Sequence, residues 1–370
     1  MKRLTVFAAA VLLLTVLFGT VQVAAADYAA PIGAEYTQVV DSAFTFAFVG
    51  DTQKIASLAR KRMSEPYEWL VEIKEEQNLQ FVAGLGDITD YNSQTEWEAA
   101  IQGVRLLDGV VPYSLIRGNH EDGYLFNHYV DYEEYTSQVA GNYNKMLNTY
   151  HKVTIGTLNY LFLNLDHGPS DDVLAWACEV VEAHPDYNVI VTTHGYIDHK
   201  GRFLEAPDEM APTLTSGFND GPAIWDGLVR KYENIVMVVC GHIGQKPEVV
   251  NFEAFGDNGN LIQHVLVDPQ RVDKYVEVTG CIALFHFSED GKTVQVENYA
   301  TLLDTHYGSG IQFTLNSVGG NAFETPTQDS ETAGDGMPIK IVAVAAVIAA
   351  VAAVVVLLIV KKRKKAAPEA

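Results

Sequence analysis

Cysteine is scarce in this sequence, with only Cys178, Cys240 and Cys281 among 370 residues. The three are widely separated and odd in number, which excludes the paired-cysteine framework of small disulfide-stabilised domains. Cys178 and Cys240 stand within apolar segments, where cysteine commonly serves as a small buried residue. The chain length allows one large domain or two ordinary ones.

Positive charge is also scarce, since 25 lysines and arginines face 47 aspartates and glutamates, for a net charge of −22. Lys2 and Arg3 contribute +2 and the last ten residues contribute +4, so residues 27–360 alone carry −28. Such a charge disfavours binding to nucleic acid or to anionic lipid, and no nucleic-acid-binding surface is expected. It also disfavours a polyanionic substrate unless metal cations offset the field.

Long apolar runs are confined to the two ends of the chain. Met1-Lys2-Arg3 begins a cationic leader, an apolar run follows, and Ala24-Ala25-Ala26 provides small residues for cleavage. Residues 1–26 are therefore predicted to be a secretory signal peptide, with an uncleaved membrane anchor as the alternative.

The second apolar run, residues 339–360, is long enough to span a bilayer as a helix. The basic tail 361–370 follows at once and is expected to stay in the cytoplasm. The prediction is a single-pass type I protein of the cell membrane with its folded part outside. A buried core helix is the alternative interpretation of the run.

Between the two ends we expect one folded domain, 27–316, and a flexible stalk, 317–338. The stalk is polar and has no apolar periodicity. Within it, Glu331-Thr332-Ala333-Gly334 resembles a degenerate sortase sorting signal without the usual leucine-proline start. Attachment of Thr332 to a cell wall is therefore an alternative to the membrane anchor.

Five apolar, strand-like runs of the folded domain end abruptly in loops that carry Asp, Asn or His. The loops are Gly50-Asp51-Thr52-Gln53, Gly86-Asp87-Ile88-Thr89-Asp90, Arg117-Gly118-Asn119-His120-Glu121, His194-Gly195-Tyr196 and Gly241-His242-Ile243-Gly244. Helical patterns at 55–77, 96–107 and 173–183 lie between the runs. This alternation predicts an α/β fold with a largely parallel sheet that is covered on both faces. The segment after Leu261 is rich in strand patterns and is expected to finish the second sheet.

Ligand-type side chains at five strand ends predict a metal site, because sites in such sheets form at the carboxyl ends of strands. Mixtures of Asp, Asn and His suit Mn, Fe or Zn, whereas carboxylate-rich sites suit Mg or Mn. Each loop taken alone has a structural explanation, since Asp after Gly is common in turns and helix caps. The coincidence of five loops favours the metal site.

The order of these motifs over residues 44–244 resembles the calcineurin-like metallophosphoesterases, and Gly118-Asn119-His120-Glu121 is the most specific part. The resemblance implies a four-layer sandwich, in which two mixed β-sheets are flanked by helices and hold two metal ions side by side.

Residue roles follow from the resemblance position by position. Asp87 would bridge the metals and Asp51 would belong to the first metal. The second metal would be completed by Asn119, His194 and His242. His120 would face the leaving group and be oriented by Asp90.

Two positions depart from the family pattern, and both concern the first metal. Gln53 stands where the family commonly has histidine, and Gly244 replaces the second histidine of Gly-His-x-His. We therefore expect one or two divalent ions (Mn, Fe, Zn or Mg), with a tight second site and a weak or Mg/Mn-preferring first site that includes Gln53. Gln245 and His264 are candidates for the missing donor.

The function implied is metal-dependent hydrolysis of phosphomonoesters or phosphodiesters, with His120 as the general acid. Tyr91-Asn92 replaces the Arg-Gly that follows Asp90 in protein serine/threonine phosphatases, so a protein phosphatase is not predicted and a small phosphorylated substrate is expected. The segments Asp172-Val173-Leu174-Ala175-Trp176-Ala177 and His184-Pro185-Asp186 resemble secreted bacterial members of the family. Tyr124 and Tyr196 are candidate substrate contacts. The alternatives are a surface binding protein that keeps the fold and one metal, and a surface adhesion or structural protein.

Overall fold

The computed structural model describes residues 36–135, 137–244, 249–268, 280–308 and 310–317. The predicted signal peptide, membrane helix and basic tail, and all of the stalk but Ser317, lie outside these residues, as does Gln245. Within the described ranges no helix combines the length and the apolarity that crossing a membrane requires.

Two seven-stranded sheets are formed by the described residues. In chain order the strands are β1 (Phe44–Val49), β2 (Leu79–Gly84), β3 (Tyr113–Ser114), β4 (Gly141–Tyr143), β5 (Asn148–Ile155), β6 (Leu158–Asn164), β7 (Asn188–Thr192), β8 (Ile235–Cys240), β9 (Val250–Phe255), β10 (Leu261–Leu266), β11 (Cys281–Phe287), β12 (Thr293–Ala300), β13 (Thr305–His306) and β14 (Ile311–Thr314). The first sheet has the order β13-β12-β11-β1-β2-β3 with β14 beside β12, and the second has the order β4-β5-β6-β7-β8-β10-β9.

Both sheets are mixed, with a parallel centre. In the first sheet β1, β2 and β3 run parallel and β11 pairs antiparallel with β1. In the second sheet β6, β7, β8 and β10 run parallel, with β5 and β9 antiparallel beside them. The strands that carry the five motif loops all belong to the parallel centres, so their carboxyl ends share an edge in each sheet.

The alternation of side chains along β1 explains why the sheets stack. Phe44, Phe46 and Phe48 point into a cluster between the two sheets, whereas Ala47 and Val49 belong to a cluster on the outer face. The inner cluster is rich in aromatic rings, and Phe81 of β2 stacks on Phe162 of β6 with ring centroids 4.0 Å apart. A strand whose odd and even positions are both apolar presents apolar side chains on both faces of the sheet, so both faces must be covered.

Helices cover the two outer faces. The α-helices of the described residues are α1 (Gln53–Leu58), α2 (Glu65–Ile73), α3 (Gln94–Val104), α4 (Gly123–Tyr129), α5 (Tyr132–Tyr135), α6 (Asp171–Glu182) and α7 (Gly221–Gly227). Residues of α2 and α3 pack behind the first sheet, and residues of α6 and α7 pack behind the second. The four-layer sandwich implied by the motif order is thereby confirmed.

The helix predicted over 55–77 is wrong as a single element. The chain forms α1, a single 3₁₀ turn at Arg60–Arg62, and then α2, which has Pro66 in its first turn. Proline favours the first turn of a helix because it has no N–H to donate to a preceding turn. The other two predicted helices are confirmed as α3 and α6, with boundaries shifted by one to three residues.

The strand-rich segment after Leu261 does not simply finish the second sheet. Of the described strands in this segment, β10 alone joins that sheet, beside β8, whereas β11 to β14 extend the first sheet beyond β1. The strand β11 is also buried on both faces, because Ile282 and Leu284 pack outward while Ala283 and Phe285 pack inward. Alternating apolar residues cannot by themselves show which strand pairs with which.

Candidate metal centre and active site

The five motif loops meet where the parallel strands of the two sheets end. Nε2 of His194, after β7, lies 3.2 Å from Oδ1 of Asp87, after β2. The same nitrogen lies 3.1 Å from Oδ1 of Asn119, after β3. The backbone N–H of His242, after β8, donates to Oδ1 of Asp51, after β1, over 3.2 Å. Residues from both sheets therefore build one site.

Asp87, His194 and His242 form a buried cluster with the composition of a metal site. Among the described residues, these three offer ligand atoms that all lie within 4.8 Å of one another. One ring nitrogen of each histidine lies close to a backbone carbonyl, with His194 Nδ1 2.7 Å from Leu85 O and His242 Nε2 2.9 Å from Met210 O. Metal-binding imidazoles are commonly oriented by such a contact at their second nitrogen.

The charges in the cluster favour a cation. Burial opposes the charged form of His194, but Asp87 and Asp51 outweigh it and raise the pKa of His194 to about 10. Burial likewise opposes the charge of Asp87, and the nearby histidines, His194 first, hold the pKa of that carboxyl well below its usual range. The buried carboxylates thus stabilise positive charge here, which either an imidazole proton or a divalent cation can supply.

Two buried oxygens beside the cluster lack partners among the described residues, namely Oδ2 of Asp51 and Oε1 of Gln53. A buried polar atom without a partner is costly, so such an atom in a native fold indicates a bound ion or water. Burial, followed by repulsion from Asp268, raises the pKa of Asp51 well above its ordinary value. The residues present therefore fit a second cation on the Asp51 side of the cluster.

Two of the predicted ligands sit on strained backbone. The φ angles are +48° at Asp87 and +81° at His242, in the left-handed region that side chains other than glycine rarely adopt. Each such residue costs on the order of 1 kcal/mol and persists where the surrounding structure holds it. At Gly118 a side chain is excluded, because a Cβ atom would lie 2.1 Å from Oδ1 of Asp87.

His120 lies beside the cluster and is held by Asp90, but not through the carboxylate that the sequence suggests. The His120 Nδ1 atom is 2.7 Å from the backbone oxygen of Asp90 and 3.6 Å from its Oδ1. The Asp90 carboxylate is instead bound by Lys54, whose Nζ donates to both oxygens over 2.9 and 3.1 Å. His120 Nε2 is 3.9 Å from Oδ2 of Asp87, and its side chain is 30% exposed, so a substrate can reach it.

Sequence reasoning missed Lys54 and the structural roles of Glu121 and Arg117. Glu121 accepts hydrogen bonds from the Thr89 and Gly118 backbone N–H groups, and so joins two motif loops. Arg117 forms a two-pronged ion pair with Asp166, at 2.7 and 3.0 Å. Their places in the sequence could have indicated these residues, since Lys54 directly follows Gln53, and Arg117 and Glu121 flank Gly118-Asn119-His120.

Two further missed residues follow strands of the parallel centre. His167 comes after β6, is buried, and places its ring 5.4 Å from the rings of both His194 and His242. Asp268 comes after β10, is also buried, and accepts a hydrogen bond from the Gly244 N–H over 2.9 Å. The rule that located the five loops, a polar residue just after an apolar strand, applies to both.

Two predicted candidates do not fit the site. Tyr196 is fully buried in the apolar cluster behind the second sheet, so the expected substrate contact is corrected to a core role. His264 stacks on Phe252, with centroids 4.4 Å apart, on the face of β10 that packs against Trp225. It therefore does not supply the missing donor. Tyr124 is 81% exposed and remains available to a substrate.

The sandwich and the clustered side chains define a protein with a candidate metal centre between the strand ends of two sheets. A family model described as calcineurin-like phosphoesterase matches residues 44–246. The match covers more than half of the chain, which therefore belongs to the calcineurin-like phosphoesterase family, a family of phosphoric ester hydrolases. The resemblance drawn from the motifs is confirmed.

Relatives and similar structures were also found. The uncharacterized protein YvnB of Bacillus subtilis (strain 168) is 24% identical in an alignment of 295 positions that covers 74% of this chain, and the chain spans 22% of that relative's length. A dimetal phosphatase from Danio rerio is 14% identical with a TM-score of 0.46, covering 74% of this chain and 99% of that one. The NAD nucleotidase NadN of Haemophilus influenzae is 9% identical with a TM-score of 0.35, and the match covers 75% of this chain and 50% of that one.

Proposed function

We propose that the folded domain hydrolyses phosphomonoesters or phosphodiesters of small molecules with the help of divalent metal ions. The observation that carries the proposal is the buried Asp87, His194 and His242 cluster with the partly exposed His120 beside it. A pure binding site has little use for an imidazole that faces the point where a leaving group would depart.

The ligand roles divide between two sites. Asp87, Asn119, His194 and His242 would hold the second metal, and Asp51, Gln53 and Asp87 would contribute to the first. Asp87 is suited to the shared position because a carboxylate has two oxygens. When bound, the divalent cations would neutralise phosphate charge and supply an activated water as nucleophile.

His120 would protonate the departing alkoxide. Its Nδ1–H donates to the Asp90 backbone oxygen, which fixes the plane of the ring and leaves Nε2 directed to the substrate side. The backbone N–H of His120 also donates to Oδ1 of Asp87 over 3.1 Å, which ties the proposed general acid to the carboxylate that both metal sites would share. A positioned general acid contributes about 10²- to 10⁴-fold to such reactions.

The location proposed is the outer side of the cell membrane, with the chain anchored by residues 339–360 and with cell-wall attachment as the alternative. The supporting observations are the two terminal apolar runs and the basic tail of the sequence. The strongly negative folded domain favours a small substrate over nucleic acid, because metal cations can offset the field only locally.

The test uses the purified full-length chain in detergent, with p-nitrophenyl phosphate, its bis ester and an alkyl phosphate as substrates. We expect turnover that requires added Mn²⁺, Mg²⁺ or Zn²⁺, that chelator abolishes, and that Asn119→Ala reduces on every substrate. His120→Ala should cost about 10²-fold or more on the alkyl ester. It should cost much less on the p-nitrophenyl esters, since nitrophenolate departs without a proton. Metal binding without turnover on any ester would instead support the surface binding protein.

A further inference from the structure

Gly244 stands where the family commonly has its second histidine. The space that a side chain at this position would need is occupied by another residue of the chain, Asp268. A Cβ atom built on Gly244 would lie 1.3 Å from the backbone oxygen of Asp268 and 2.8 Å from its Cβ. No side chain fits there unless the backbone moves. The Gly244 N–H donates to Oδ2 of Asp268 over 2.9 Å, so the two residues are also bonded.

Asp268 lies next to the Asp51 side of the metal centre. It follows β10, which pairs in parallel with β8, the strand that leads to His242. A Cβ atom on Gly50, directly before Asp51, would be 2.6 Å from the Val267 oxygen and 3.7 Å from the Asp268 Cα. Asp268 is 5% exposed.

Asp51 and Gln53 both follow β1, and the Gln53 backbone N–H donates to the Asp87 backbone oxygen over 2.8 Å. Oδ2 of Asp51 and Oε1 of Gln53 are buried and, within the described part of the chain, receive no hydrogen bond. Asp51 accepts from the His242 N–H and Asp268 accepts from the Gly244 N–H, so both carboxylates bind the same short loop, where a cation would offset their like charges.

We infer that Asp268 replaces the missing histidine and completes an all-oxygen first metal site with Asp51, Gln53 and Asp87. This inference rests on the proposed metal-dependent function. Carboxylate and amide oxygens suit hard cations such as Mg²⁺ and Mn²⁺, whereas the two imidazoles of the second site suit Zn²⁺ or Fe²⁺. The two sites therefore differ in metal preference.

The direct test is metal titration of the full-length chain after removal of metals with chelator. Calorimetry with Mn²⁺ should show two classes of site in the natural protein. Asp268→Asn should weaken Mn²⁺ binding at one class of site by more than about tenfold. The loss of a metal ligand should cost at least as much affinity as the loss of a residue that only hydrogen-bonds to a ligand. The other class should stay unchanged, and His194→Ala should give the opposite pattern. The matched control is Asp186→Asn, which removes the same charge from an exposed loop.

A second variant gives a positive signal and covers the case in which Asp268→Asn does not fold. Asp268→Cys should bind Cd²⁺ with a sulfur-to-cadmium charge-transfer band in the ultraviolet, which the natural protein with its three cysteines should not show. The band requires residue 268 to touch the metal. Its absence in a variant that binds two equivalents of Cd²⁺ would overturn the inference.

The result is separable from the hydrolase proposal when ester turnover is measured on the same samples. The expected binding pattern without turnover would leave the Asp268 site standing and remove the enzymatic proposal. Metal-dependent turnover, together with Mn²⁺ binding that Asp268→Asn leaves unchanged at both classes of site, would leave the enzymatic proposal standing and remove the Asp268 site.

Discussion

The imidazole of His120 is positioned by a short chain of polar contacts that begins at a lysine. Lys54 binds both carboxylate oxygens of Asp90, whose side chain is 5% exposed, and the backbone oxygen of Asp90 holds His120 Nδ1. A buried carboxylate needs its cation, so Lys54 keeps the Asp90 loop in place. Lys54 is thus a positioning residue for His120.

Lys54→Met should lower kcat on an alkyl phosphate by about tenfold, a part of the 10²- to 10⁴-fold that a general acid contributes. KM should stay constant, and the loss on p-nitrophenyl phosphate should be smaller because its leaving group needs no proton. Steady-state kinetics on the two esters measure the difference. Lys61→Met, an exposed lysine in the following turn, is the control. Equal losses on both esters would show that Lys54 has only a general structural role.

The loops that follow β2 and β3 are joined through one buried side chain, that of Glu121. Its Oε1 accepts from the Thr89 N–H and hydroxyl at 2.8 and 3.0 Å, and its Oε2 accepts from the Gly118 N–H at 2.9 Å. These loops carry Asp87 and Asn119, so the distance between two proposed metal ligands depends on a contact between elements. The three donors face a carboxylate, which in its ionised form only accepts hydrogen bonds.

Glu121→Gln should destabilise the metal-free protein by about 1–3 kcal/mol, because an amide NH₂ would face a backbone N–H and leave buried donors unpaired. Urea unfolding in the presence of chelator measures the change. Glu98→Gln, an exposed residue of α3, should have almost no effect. If both variants unfold at the same urea concentration as the natural protein, Glu121 does not stabilise the contact between the two loops.

The stability of the whole molecule depends on pH through histidines that are buried without charge. Burial lowers the pKa of His264 from 6.5 to about 3 and that of His151 to about 4. The unfolded chain binds these protons below pH 6.5, whereas the folded chain does not until the lower values are reached. Their contribution to stability is therefore complete above pH 6.5 and declines as the pH falls toward 3.

His264→Phe should make the protein less sensitive to acid, since phenylalanine keeps the stack on Phe252 and cannot be protonated. Between pH 6 and 4 the natural protein should lose up to about 1.4 kcal/mol per pH unit through this residue, and the variant should not. Urea unfolding at several pH values, with chelator present, gives the comparison. The exposed His128→Gln is the control. Parallel pH profiles for the natural protein and His264→Phe would contradict the assignment.

Much of the site was visible in the sequence because it is built from strand ends. A parallel strand that is buried on both faces is a run of apolar residues, and the first polar residue after it lies at the functional edge of the sheet. This rule located Asp51, Asp87, Asn119, His194 and His242. It also applies to His167 and Asp268, which were missed because no family motif marks them.

The sequence by itself determined the layered α/β class, the positions of the parallel strands and the ligand types at their ends, because each depends on local periodicity and on the residues that end a strand. Only the tertiary structure decided that β11 to β14 join the first sheet, that Lys54 takes the Asp90 carboxylate, and that Asp268 lies against Gly244. These are contacts between residues 24 to more than 200 positions apart. Contacts over such separations depend on how whole strands and helices pack, which a pattern of neighbouring residues does not record.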